Sequence, residues 1–130
     1  MSPDSTIQRP SPATTILIDA GLVVVFCVIG RLSHAEGILG DIPGLVGTIW
    51  PFLAALVVAH AAALAFRVPA ERVVPGILIW LVTLGGGMVL RALSGQGTAW
   101  AFLIVAAVTL AVFLIGWRLI NVLVQRRRAR

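Results

Sequence analysis

The sequence predicts an all-α fold, an integral membrane four-helix bundle, and three observations predict it. Four long apolar stretches fill a chain of only 130 residues. Hydrophobic residues make up 59% of the chain and charged residues 12%, too few to cover a water-soluble domain of this size. Mean hydropathy is +1.04, and each stretch is close to the ~20 apolar residues that cross ~30 Å of hydrocarbon as a helix. Strands of a membrane barrel would alternate apolar and polar residues, which these runs do not.

Residues 1–12 are rich in Ser and Pro and read as a disordered tail. The four-helix domain follows over residues 13–122. Its first span covers about 13–32. Ser33-His34-Ala35 loosely resembles a signal-peptide cleavage site, but Asp19 interrupts the apolar run and Arg31 precedes the site, so an uncleaved helix is expected. The single Cys27 lies within this span and leaves no internal disulfide. The second span covers 46–66, with Pro51 placed in its first turn, where a missing N–H does no harm. Ala59, Ala61, Ala62, Ala63 and Ala65 give it a smooth packing face. The third span, 74–92, has Pro75 in its first turn. Its Gly85-Gly86-Gly87 run reads either as a close helix contact or as a hinge. Trp80 is deep enough for core packing. The fourth span covers 98–120, and 123–130 reads as a basic tail. Trp50, Trp100 and Trp117 sit at span ends as interfacial anchors.

All ten basic residues are Arg, and their placement sets an expected orientation. Arg9, Arg67, Arg72 and the Arg126, Arg127, Arg128 and Arg130 tail share one side of a four-span chain; the other side holds Arg31 and Arg91. The positive-inside rule then places both termini in the cytoplasm of a cell-membrane protein. A net charge of +5 is explained by this bias, with no nucleic-acid partner implied. The expected partners are the lipid bilayer and a second copy or a membrane complex.

The pattern Gly-Thr-x-Trp-x-Phe-Leu occurs at 47–53 and again at 97–103. Arg31 ends span one as Arg91 ends span three. The two hairpins therefore read as an internal repeat about the membrane normal. Convergence is the other reading, since Trp belongs at interfaces and Gly or Thr at helix starts.

Polar residues inside spans are costly and mark candidate sites. Asp19, His60 and Arg118 fall at similar depth, near the side of the termini. An Asp–Arg pair there would fix helix register, and an Asp–His pair could exchange a proton; His60 bonded to a carbonyl or to Thr83 is the blander alternative. On the other side, Arg31, His34, Glu36 and Arg91 form a candidate ligand site, with two guanidiniums to hold an anion. The alternative is that Arg31 pairs with Glu36 while both Arg side chains snorkel. His34 and Glu36 alone are too few for a metal site. The sequence has no nucleotide, haem, iron–sulfur or hydrolase signature, and no catalytic residue or cofactor is assigned.

Gly30-Arg31 … His34, Trp50-Pro51-Phe52, Trp80 … Thr83 … Leu90-Arg91, Gly97-Thr98 … Phe102 and Gly116-Trp117-Arg118 occur in that order. Over roughly residues 16–120 this resembles a small multi-pass membrane family called domain of unknown function 3054, found largely in actinobacteria and some archaea. The Ala-, Val-, Gly- and Arg-rich composition suits such a source. The family supplies no activity, substrate or cofactor. The resemblance implies only that the Arg, His, Trp and Asp positions are shared features, His60 excepted. The expected function is to bind or transport a small or lipid-like ligand. The alternatives are an accessory or structural subunit and, third, an enzyme acting on lipid headgroups through His34 and Glu36.

Overall fold

A helix satisfies its backbone N–H and C=O groups within its own segment, as a span through hydrocarbon requires. The computed structural model describes residues 9–33 and 42–130. In it the four stretches form α1 (Pro12–Ser33), α2 (Ile42–Ala65), α3 (Val73–Leu93) and α4 (Trp100–Arg128). All four are long and apolar enough to cross a membrane. Residues 1–8 and 34–41, with His34, Glu36 and most of the expected N-terminal tail, lie outside the described residues.

The helices pack in a ring: α1 on α2, α2 on α3, α3 on α4, and α4 back on α1. The chain runs up and down, so the start of α1, the end of α4 and the 66–72 connection share one end of the bundle, the terminal end. The 94–99 connection lies at the far end. Each helix buries one narrow stripe. On α1 it runs through Thr15, Asp19, Val23, Phe26 and Cys27; on α4 it runs through Ala106, Leu110, Leu114 and Arg118 in strict four-residue steps. That spacing keeps one face inward at 3.6 residues per turn. The outward faces carry large apolar side chains such as Leu17, Val58, Leu78 and Val105. Charged groups inside and Leu and Val outside invert the order of a water-soluble bundle.

Small residues set the helix spacing. A Cβ on Gly86 would come within 2.9 Å of the Ala55 Cβ, and one on Gly87 would run into the Phe52 ring, whereas Gly85 faces open space. The helix is continuous through the triplet, so the run serves packing. Phe52 meets Phe26 edge to face at 5.6 Å between centroids and Phe102 at 6.2 Å, closing the core toward the far end.

Two boundaries differ from the sequence reading. Pro51 is not in a first turn, because α2 starts at Ile42 and places it well inside the helix. The apolar run begins near Val46, but the turn before it is helical as well, and Pro43 is the proline near the start. An interior proline frees the carbonyl four residues back. That carbonyl belongs to Gly47, and the Gln96 side-chain amide of the far-end connection donates to it at 2.9 Å. At the other boundary, α4 continues through Arg128, so most of the basic tail forms the last turns of that helix. Arg and Gln are good helix formers, and cations suit a helix C-terminus. The α1 start follows sequence rules: Pro12 is its first residue, and the Ser11 hydroxyl accepts from the Thr14 N–H at 3.1 Å as a cap.

Candidate functional site

The terminal half of the bundle is built around one carboxylate. Asp19 lies on the buried stripe of α1, two turns inside the helix, and is fully buried. Arg118 occupies the corresponding place on α4 and is also fully buried. The two meet as a fork: Arg118 Nη1 donates to Asp19 Oδ1 at 2.9 Å and Nη2 donates to Oδ2 at 2.7 Å. The Trp117 indole N–H donates to Oδ1 at 2.8 Å, and His60 Nε2 lies 2.8 Å from Oδ2. A carboxylate offers about four lone-pair sites, and these four bonds fill them. Facing an ionised carboxylate, His60 Nε2 carries the hydrogen.

The remaining Arg118 donors are placed as carefully. Nε donates to the Ala70 carbonyl at 2.8 Å and Nη1 also to Leu114 at 2.7 Å. Its guanidinium lies 4.7 Å from the Trp117 ring centre. Gly76, in the first turn of α3, makes room: a Cβ there would stand 2.7 Å from Arg118 Nε and run into Cδ. One side chain thus ties α4 to α1 and to the connection ahead of α3. The bidentate geometry is the strong form of this pair. It removes most of the penalty, roughly 2.5–3.5 kcal/mol per charged residue, of holding such groups at membrane depth.

His60 is the member that borders a cleft. It lines a space of about 270 Å³ with Pro12, Ile16, Ala70 and Glu71. Of the two expected Asp19 partners, both are present. His60 takes Asp19 rather than Thr83, whose hydroxyl is fully buried with no hydrogen-bond partner among the described residues.

At the far end Arg31 and Arg91 occupy the same place in their helices, the last turn of α1 and of α3. Both line one cavity of about 110 Å³, with Phe26, Cys27, Thr48 and Phe102. Arg31 Nη1 donates to the Gly44 carbonyl at 3.2 Å and to Thr48 Oγ1 at 3.1 Å. Arg91 donates through Nε and Nη2 to the Gly97 carbonyl, at 3.2 and 3.0 Å, and through Nη1 to Gln96 Oε1 at 3.0 Å. Its guanidinium sits 4.3 Å from the centre of the Phe102 ring. The structure brings these two arginines together; their expected companions His34 and Glu36 lie outside the described residues.

Trp117 was legible only as an interfacial anchor, yet it donates to the buried carboxylate. Only the fold turns it inward beside Arg118. Trp50 and Trp100 do face outward, and Trp80 packs inside, donating to the Ala107 carbonyl at 3.0 Å. Gln96 reads in sequence only as a polar neighbour of Arg91, and Gly76 only as a small residue for helix packing, because their partners are a freed carbonyl and a side chain from a distant helix.

A family model described as a protein of unknown function (DUF3054) matches residues 16–121. That stretch begins just before Asp19 and ends just after Arg118, so both sides of the fork and both far-end arginines lie within it. No curated protein and no solved structure matches the chain.

Proposed function

We propose a reading for this chain, which belongs to the DUF3054 family of proteins of unknown function, as a membrane protein that binds a small anion at its far end. It is a multi-pass integral membrane protein with four apolar helices. The observation that carries the reading is that Arg31 and Arg91, from different hairpins, line one cavity with Thr48 and Cys27. Its volume of about 110 Å³ is well below the ~300–1,000 Å³ of pockets for drug-sized ligands. It suits a phosphate or carboxylate group, either free or at the end of a larger lipid-like molecule. Two guanidiniums give that group a planar, charge-assisted set of donors. Phe52, Leu56 and Leu110 fill the middle of the bundle with no exposed surface, which favours binding over passage in this conformation.

The Arg-rich terminal end supports an orientation with both termini in the cytoplasm and the anion site outside. The matched positions of Arg31 and Arg91 support the hairpin repeat, although Trp50 lies inside α2 and Trp100 opens α4. A second reading, a structural or accessory subunit, is favoured by the Asp19 cluster, in which each carboxylate lone pair is taken. The two readings separate in a binding titration of purified protein with inorganic phosphate. An anion site predicts saturable binding that weakens with added salt and about tenfold or more on Arg91→Ala. A structural subunit predicts no saturable binding in either protein.

A further inference from the structure

A second charged cavity opens at the other end of the molecule. It encloses about 640 Å³ between the first turn of α3, the last turns of α4 and the segment before α1. Arg9, Arg72 and Arg126 line it, brought together from three separate parts of the chain, with Glu71 as the one acidic side chain among the described residues. Asn121 and Gln125 add amide groups from successive turns of α4. Among the described residues no side chain caps the start of α3, and its first turn carries no acidic residue. The remaining wall is apolar, with Val73, Val74, Pro75 and Val122, and Val74 is 69% exposed on the outward face of α3. Arg9, Gln125 and Arg126 fall outside the matched family stretch, whereas Glu71, Arg72 and Asn121 lie within it.

We propose that this cavity binds the headgroup of an anionic phospholipid in the leaflet at the terminal end. Among the described residues, three arginines against one glutamate leave a surplus of positive charge for a phosphodiester. Basic pockets between membrane helices are where such headgroups bind. The choice of a lipid over a free anion rests on size and on the apolar wall. The volume exceeds what a lone phosphate fills, and Val74 and Val122 offer the glycerol and upper acyl carbons a surface continuous with the lipid-facing side of the bundle. The site is distinct from the far-end cavity and shares no residue with it.

The test is native mass spectrometry of the full chain released from micelles doped with equal dioleoylphosphatidylglycerol and dioleoylphosphatidylcholine. The proposal predicts retained phosphatidylglycerol, weakened about fivefold by Arg72→Gln and again by Arg126→Gln, at roughly the strength of one surface arginine each. Arg130→Gln, beyond the cavity, changes retention little. Glu71→Gln removes the opposing charge and strengthens retention, so a loss of signal through misfolding cannot imitate the pattern. Equal retention of both lipids, equal loss from Arg130→Gln, or displacement of the lipid by millimolar inorganic phosphate as readily as by phosphatidylglycerol each overturns it. The last outcome identifies a free-anion site instead.

Discussion

Arg118 grips Asp19 through two parallel hydrogen bonds of 2.9 and 2.7 Å, joining the last helix to the first across 99 positions of sequence. Both residues are fully buried, and the same guanidinium holds the carbonyl ahead of α3. This makes the pair the lock of the terminal half of the bundle. Removing one member leaves a buried charge without its counterpart, which costs far more than removing both. Asp19→Asn is expected to destabilise the protein by roughly 3 kcal/mol in thermal unfolding in detergent, and adding Arg118→Gln should recover part of the loss. Additive losses in the double variant would contradict the lock.

Gly76 tests the same lock from the side of α3. A Cβ there collides with Arg118, while one at Gly85 meets nothing. Gly76→Ala should lower thermal stability by at least ~1–3 kcal/mol, the usual cost of overpacking. In an Arg118→Gln background most of that cost should vanish, because the two sites share one contact. Gly85→Ala should be neutral or stabilising by up to ~1 kcal/mol through helix propensity alone. An equal effect of the two alanines would show that Gly76 is not making room for the guanidinium.

Pro51 and Gln96 form a second coupled pair. The proline frees the Gly47 carbonyl and Gln96 takes it. Gln96→Ala is expected to cost ~1 kcal/mol, the worth of a typical hydrogen bond with its partner left unmade. Restoring the helix N–H with Pro51→Ala should reduce the cost of Gln96→Ala to the loss of its bond to Arg91, which a double-mutant cycle of unfolding midpoints reads directly. Simple additivity of the two substitutions would separate them.

Four antiparallel spans and the arginine bias make orientation a matter for labelling. A cysteine at Gly37 or Gln96 should react with an impermeant thiol reagent from outside intact cells; one at Pro69 or Ala129 should not. The native Cys27 is buried and gives little background. Labelling at Ala129 from outside would reverse the orientation.

How much of this was legible in the sequence depends on the range of the interaction. The four helices follow from apolar length alone, and the meeting of Asp19, His60 and Arg118 from counting depth at 1.5 Å per residue. Depth does not give azimuth, so sequence could not say that Trp117 turns inward with Arg118, or that His60 prefers Asp19 to Thr83. The start of α2 was misplaced because hydropathy marks the hydrocarbon boundary and a helix can begin before it. The Gly47 carbonyl bonded by Gln96 was invisible, since it exists only once Pro51 is known to be interior. Arg31 and Arg91 could be matched by motif, but their common cavity depends on how α1 and α3 approach the far end.

The most direct measurement of the anion-binding proposal is the side-chain nitrogen spectrum of the arginines during a phosphate titration of the protein in micelles. Assignment by single Arg→Gln variants identifies Arg31, Arg91 and, as a surface reference, Arg130. Two guanidiniums that share one anion must report one equilibrium, so the Arg31 and Arg91 Nε–H signals should move together and saturate at a single midpoint. Arg130 should drift without saturation. Signals of Arg31 and Arg91 that stay fixed, or that saturate at different phosphate concentrations, would contradict a shared site and leave the two arginines as structural anchors.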